Sequence, residues 1–157
     1  MKAASINELK QELKDTTPDQ LVAVCLRLAR YKKENKELLT YLLFEANNME
    51  GYIKSVKSEI EEDFTAINTT NLYYATKSLR KILRTTNKYI RYTGSKIAEA
   101  ELLLHFCNNL KASKIPIHKS TALTKLFNTQ VKKIKTAIAT FHEDLQYDYL
   151  RQLTELE

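Results

Sequence analysis

The sequence predicts an all-α protein, and three observations support this fold class. Only 2 of the 157 residues are glycine and only 2 are proline, so few positions suit the tight turns of a many-stranded sheet. Apolar residues recur at spacings of three and four along most of the chain, which is the period of an amphipathic helix. No segment alternates like a strand over a comparable length. The 43% apolar content is enough for a globular core.

The first two helices have clear start signals. Ser5 and Glu8 have the spacing of a capping box, and Ile6, Leu9 and Leu13 share one face of the helix that follows. Thr17 is predicted to cap the second helix, because Pro18 then occupies its first position and Gln20 lies three residues after the cap. The face of this helix predicted to be buried consists of Leu21, Val24, Cys25 and Leu28.

Three further helices are predicted before the first glycine that can terminate a helix. Asn35 is predicted to cap the third helix, which weakens near the pair Asn47-Asn48. Isoleucine, valine and phenylalanine at spacings of three and four predict a fourth helix over residues 49–67. A long helix is predicted over residues 71–92, ending at Gly94 because glycine readily adopts the left-handed conformation that terminates helices.

The last part of the chain is predicted to hold three helices. Ser95 starts the first of them, and Pro116 interrupts the chain because it disfavours helical geometry at the preceding residue. Ser120 begins another long helix, over residues 120–141, and the last helix covers residues 144–156. The total is seven or eight amphipathic helices.

The short connections predict that consecutive helices pair as antiparallel hairpins. Such hairpins form either an orthogonal bundle or a short solenoid-like stack, and the absence of a fixed repeat period leaves both open. The length predicts a single domain over residues 1–157, with a division into sub-units 1–67 and 71–157 also open.

Charge is sorted by position along the chain. Residues 64–142 contain 14 Lys and Arg but only two acids, Glu99 and Glu101, for a net charge of +12. The remaining residues contain 11 bases and 17 acids and net −6, and the two parts sum to the formal +6. A basic block inside an otherwise acidic chain indicates a surface that meets something negative.

Most of these cations fall on one face of the helix predicted over residues 71–92. At 100° per residue they share an arc of about 100°. A second stripe lies on the helix over residues 120–141. The predicted anion-binding residues are Tyr73, Lys77, Arg80, Lys81, Arg84, Lys88 and Arg91 on the first helix and Lys125, Lys132 and Lys135 on the second.

Several occupants fit such a surface. The leading hypothesis is a non-enzymatic interaction domain that docks an acidic protein segment or associates with itself, with residues 38–44 as the first candidate for self-association. The alternative is sequence-independent nucleic-acid binding, in which tyrosines stack on bases. An anionic membrane surface is a further alternative. The acidic segments 59–63 and 143–157 would instead neutralise the cations from within.

Four segments resemble a family of small, all-helical bacterial proteins of uncharacterised function. They are Asn7-Glu8-Leu9-Lys10-Gln11-Glu12-Leu13, Pro18-Asp19-Gln20-Leu21, Lys36-Glu37-Leu38-Leu39 and Ala100-Glu101-Leu102-Leu103-Leu104-His105-Phe106. The resemblance implies a bacterial, cytosolic, helical protein. It supplies no catalytic or binding residues.

No motif points to catalysis, to a cofactor or to a metal. The chain has no HExxH, no cysteine pair at zinc spacing and no glycine-rich phosphate loop. Cys25 and Cys107 lie in apolar runs and are predicted to be buried thiols. The start of the chain lacks the apolar region of a signal peptide, and no segment has 18 uncharged apolar residues, so no membrane insertion and a cytoplasmic location are expected. No small-molecule substrate is predicted.

Overall fold

The computed structural model describes residues 1–156, which contain eight α-helices and no strand. The predicted all-α class and the pairing of consecutive helices are therefore confirmed. Glu157, the last residue of the predicted acidic segment, lies outside the described residues. The helices are α1 (Ile6–Lys14), α2 (Pro18–Tyr31), α3 (Lys33–Thr40), α4 (Met49–Thr65), α5 (Leu72–Thr93), α6 (Lys96–Ala112), α7 (Thr121–Ile138) and α8 (Glu143–Leu156).

The chain divides into two compact units, Met1–Phe44 and Glu45–Glu157. In the first unit, α2 and α3 pack against each other. Both predicted caps are present: the Ser5 hydroxyl accepts from the Glu8 amide at 3.3 Å, and Thr17 accepts from the Gln20 amide at 3.4 Å. These bonds satisfy amide donors that the first turn of a helix leaves unpaired.

The predicted cap of the third helix is wrong. The residue before α3 is Lys32, whose side chain makes no capping bond, and Asn35 lies within the first turn of the helix. The amide of Asn35 reaches back across the loop and donates to the carbonyl oxygen of Leu28 at 2.8 Å. Asn35 therefore satisfies a carbonyl at the end of α2 and does not cap the start of α3. After α3, the chain continues into a π-helical turn, Tyr41–Glu45.

The apolar face predicted for α2 is not buried. Val24 and Leu28 are 43% and 57% exposed, and Cys25 is an exposed free thiol, contrary to prediction. The reason is geometric, since the apolar residues of α2 that are larger than alanine spread over roughly 220° of its circumference at 100° per residue. One partner helix, α3, covers only part of that arc. Tyr41 is the one buried residue among those described in the first unit.

The second unit is built around α6. This helix packs against α4, α5, α7 and α8, and is therefore buried on most of its circumference. Leu102, Leu103, Phe106 and Cys107 are fully inaccessible to solvent. The Phe106 ring meets Phe64 of α4 edge to face, with centroids 5.5 Å apart. All of the buried cluster of this unit lies at or after Ile53.

Side-chain caps also fix the helix boundaries of the second unit. Asn48 accepts from the Gly51 amide at 2.9 Å, and Ser95 and Ser120 cap α6 and α7 as predicted. Gly94 has a φ of 60° and terminates α5 as predicted. A Cβ at this position would meet no atom within 4 Å, so the glycine is required by its backbone conformation and not by lack of space.

Candidate functional site

The basic face of α5 is positioned by the residues on the opposite side of the helix. Ala75, Leu79, Ile82, Thr86 and Ile90 are buried at spacings of four, three, four and four. This stripe fixes the rotation of α5 about its axis, so residues on the far side of the wheel point away from the core. Asn71 holds the start of the helix by accepting from the Tyr73 amide at 2.9 Å and the Tyr74 amide at 3.4 Å.

Five of the six predicted α5 cations are exposed, and no acid occurs anywhere in this helix. The five are Lys77, Arg80, Lys81, Arg84 and Arg91. The sixth, Lys88, is half-buried, and its Nζ lies 5.1 Å from the centroid of the Tyr89 ring. At 1.5 Å per residue, the row from Lys77 to Arg91 extends over about 21 Å of helix.

The acidic segment of α4 forms no ion pair with these five cations. The Tyr89 hydroxyl donates to the Glu59 carboxylate at 3.0 Å, and the Glu61 carboxylate lies 3.1 Å from Nε2 of His105. Within residues 1–156, the five exposed cations of α5 form no ion pair with any carboxylate. Their charge is therefore directed to solvent.

Two aromatic side chains stand at the start of the same helix. Tyr73 and Tyr74 are 73% and 56% exposed, and their rings meet edge to face with centroids 5.5 Å apart. Tyr73 belongs to the predicted binding set, and Tyr74 lies beside it. Exposed aromatic rings next to cations provide flat surfaces on which a planar ligand can stack.

The second predicted stripe lies on α7. Lys125, Lys132 and Lys135 are exposed, and the first two line an open cleft of about 450 Å³ together with His118 and Asn128. The extensive contacts of α7 are with α6, α8 and the 3₁₀ turn Ile117–Lys119, whereas those of α5 are with α4 and α6. The predicted residues are thus divided between two helices that are linked through α6.

A polar cluster that sequence reasoning missed lies among α4, α6 and α8. The Glu101 carboxylate accepts a hydrogen bond from Lys57 Nζ at 2.8 Å and another from the Tyr149 hydroxyl at 2.9 Å. These residues line a cavity of about 340 Å³, together with His105 and Gln152. Removal from water and the bond to Glu101 raise the pKa of Tyr149 well above its ordinary value.

His105 borders the same cavity. Burial is the main influence on this imidazole and lowers its pKa, although the nearby Glu61 carboxylate acts in the opposite direction. Nε2 lies 3.1 Å from Glu61 Oε1 but makes no hydrogen bond of good geometry. Glu61 is 59% exposed, so solvent screens its charge and desolvation dominates. The net effect on the pKa of His105 is downward, which favours the neutral imidazole.

The sequence offered only weak signals for this cluster. Lys57, Glu101 and Tyr149 are separated by 44 and 48 residues, so no local motif contains them. Glu101 is one of two acids in the basic block, and Tyr149 interrupts an otherwise leucine-lined face of α8. A polar residue within an apolar run does indicate a buried partner, but it does not identify that partner.

Comparisons with known proteins give no match. A scan against protein-family models, a search of curated proteins and a search of solved structures each found nothing similar to this chain. Within residues 1–156, no group of three or more His, Cys, Asp or Glu side chains is placed to hold a metal ion. None of the helices described is both long enough and apolar enough to cross a bilayer.

Proposed function

We propose that this protein is a non-enzymatic interaction domain whose α5 face docks an acidic segment of a partner protein. One observation carries the proposal: five exposed cations follow one helix that has no acid, and no carboxylate within residues 1–156 pairs with them. Like charges at i,i+4 repel each other by a few tenths of a kcal/mol per pair, so this arrangement opposes helix stability. An anionic partner would remove that repulsion.

The geometry favours an extended partner over a small anion. The row of cations is about 21 Å long and lies on an exposed helix face. A peptide with several carboxylates matches this row along its length, and each exposed pair contributes up to about 1 kcal/mol. The proposal requires no cofactor. It includes a cytoplasmic location, which the free thiols Cys25 and Cys107 support because disulfides are rare in that compartment.

A second candidate, nucleic-acid binding, is favoured by the exposed pair Tyr73 and Tyr74. Bases of a single strand can stack on these rings while phosphates meet the cations that follow, and the lysine-lined cleft on α7 extends the available positive charge. Stacking contributes about 1–3 kcal/mol per base. The carboxylates of an acidic peptide gain no comparable stacking energy from the rings of Tyr73 and Tyr74.

The test is a fluorescence-anisotropy titration of a labelled Glu-rich peptide and of labelled single-stranded and double-stranded DNA, each at about 50 and 200 mM salt. The variant carries Lys77→Glu, Arg80→Glu and Arg84→Glu. If each reversal costs roughly 0.5–1 kcal/mol, the dissociation constant for the peptide rises at least tenfold. Higher salt weakens wild-type binding in the same direction.

The matched control reverses three exposed lysines of the first unit, Lys10, Lys14 and Lys36, and changes the net charge by the same amount. It should bind the peptide like the wild type. Equal loss in both variants, or no peptide binding at low salt, contradicts α5 docking. If single-stranded DNA binds more tightly than the peptide and Tyr73→Ala weakens only the DNA complex, nucleic acid is the ligand.

A further inference from the structure

The first unit leaves a stripe of apolar side chains on α1 uncovered. Ile6, Leu9 and Leu13 follow the i, i+3, i+7 spacing of one helix face. They are 82%, 46% and 46% exposed, and α1 buries no residue. This is the pattern that a helix presents when it docks into a groove on a partner.

The same unit contains an apolar groove. Cys25 and Leu28 of α2, Leu38 of α3 and Leu42 of the π-helical turn line a cavity of about 280 Å³, and each of these side chains is exposed. A neighbouring concavity of about 370 Å³ continues the groove to Tyr31, which is 77% exposed. The groove therefore opens between α2 and α3 and continues along α2.

Charges flanking the two surfaces are complementary. On the α1 wheel, Glu12 and then Glu8 lie beside the apolar stripe on one side, and Lys10 and Lys14 lie beside it on the other. Arg27 and Arg30 line the concavity beside the groove. A helix with an acidic flank thus matches a groove with a basic rim, which fixes the direction in which they fit.

The uncovered area is appropriate for a dimer. A 44-residue unit with one buried residue lacks the core that a domain of this size needs, and small units often compensate by oligomerisation. Nine exposed apolar side chains of the stripe, groove and concavity represent roughly 500–1,000 Å² per copy. A stable interface buries about 800 Å² per partner.

We propose that the chain forms a two-fold dimer in which α1 of each copy lies in the α2–α3 groove of the other. Each copy carries both a stripe and a groove, so one symmetric exchange covers all four surfaces and closes the assembly. In the structure, the three residues that join α1 to α2 leave the stripe exposed, so the groove is not filled by its own chain. The α5 cations take no part, and the dimer does not depend on the proposed docking of an acidic segment.

Sedimentation equilibrium of the full chain tests the assembly. The wild type should show twice the 18.2 kDa mass of one chain at micromolar concentration, whereas Leu9→Glu in the stripe and Leu28→Glu in the groove should each sediment at 18.2 kDa. Gln11→Glu adds the same charge on the opposite face of α1 and should remain dimeric. Circular dichroism confirms that each variant is folded, because the changed side chains are exposed. A monomeric wild type at all concentrations overturns the proposal.

Cross-linking distinguishes exchange between copies from folding back on the same chain. Cys25 lies in the groove, and a disulfide forms only when the two Cα atoms approach within about 7 Å. Under mild oxidation, Leu9→Cys or Leu13→Cys should give a covalent dimer with peptides joined at Cys25. Wild type and Gln11→Cys should give none. A disulfide within a single chain, or no Cys25 cross-link in either variant, overturns the exchange.

Discussion

Glu101 is the residue at which three helices of the second unit meet. Its carboxylate accepts from Lys57 of α4 and from Tyr149 of α8, while its own backbone belongs to α6. A partly buried carboxylate without such donors would lose its hydration without replacement. The two bonds therefore make this cluster a polar link within an otherwise apolar interface.

Tyr149→Phe should lower the free energy of unfolding by about 1–2 kcal/mol, because it removes one hydrogen bond to a charged group and leaves the ring in place. Urea denaturation at pH 7 measures the loss. Tyr147→Phe on the same helix is the matched control, since that side chain is 70% exposed and should change stability by less than about 0.5 kcal/mol. Equal stability of both variants would contradict a stabilising role for the Tyr149 hydroxyl.

The pH dependence of the same pair follows from the raised pKa of Tyr149. A phenol whose pKa is higher in the folded than in the unfolded state stabilises the protein fully below the unfolded value of 10.0. That contribution declines as the pH rises above 10. The stability difference between wild type and Tyr149→Phe should therefore be constant from pH 7 to 9 and shrink above pH 10. A difference that widens above pH 10 would contradict the assigned shift.

Cys107 should be unreactive in the folded protein. It is fully buried, and burial raises the pKa of its thiol to about 12, so the reactive thiolate is scarce at neutral pH. In a Cys25→Ser variant, which leaves one thiol, Ellman's reagent should react only after denaturant is added. Rapid modification without denaturant would show that α6 is accessible to solvent.

At the scale of single residues, the sequence predicted some side-chain roles and missed others. The Ser5, Thr17 and Gly94 signals act within one turn of helix, and all three predictions are confirmed. Asn35 is a counterexample, because an asparagine near a helix start has more than one carbonyl or amide within reach. The Glu101 cluster depends on tertiary packing, which no local pattern encodes.

At the scale of elements, α6 and α2 differ in environment although both are rich in apolar residues. Four helices surround α6, whereas α3 is the one extensive partner of α2 in the first unit. Apolar periodicity predicted both helices but not how much of each is covered. How many helices pack around a given helix depends on the assembled fold and not on its own sequence. The buried face predicted for α2 was therefore wrong.

A pair of truncations compares the two environments. Phe106→Ala should reduce the free energy of unfolding by about 3–5 kcal/mol, because it removes a fully buried ring that packs on Phe64. Leu26→Ala, on the side of α2 away from the groove, should cost less than about 0.5 kcal/mol, since Leu26 is 45% exposed. Thermal and urea denaturation give both values. Comparable losses would mean that the first unit has a covered core.

For the whole molecule, the two units differ in their means of stabilisation. The buried cluster belongs to residues 53–156, and the first unit contributes none of it. A chain that begins at Glu45 should therefore fold alone and unfold cooperatively, with a melting temperature near that of the corresponding transition in the full protein. Calorimetry and amide NMR dispersion provide the measurement. A truncated chain without dispersed amide signals would show that the first unit is needed for folding.

The sequence predicted the all-α class of this fold, but it did not decide how the chain divides into domains. The single domain over residues 1–157, the alternative sub-units and the resemblance to small bacterial helical proteins stay predictions. The basic block predicted charge on α5 and α7, because composition records which charges a helix carries. It did not predict which cations lack carboxylate neighbours, since that depends on how α4 and α8 pack around α6.

The sequential pairing of helices also has a kinetic consequence. In the second unit α4 meets α5, α5 meets α6, α6 meets α7 and α7 meets α8, so most contacts join segments that are close along the chain. Short loop closures cost little entropy, and proteins of such low contact order reach their native state within microseconds to milliseconds. During synthesis, each new helix finds its first partner already made. The nascent chain can thus fold helix by helix while it is being synthesised.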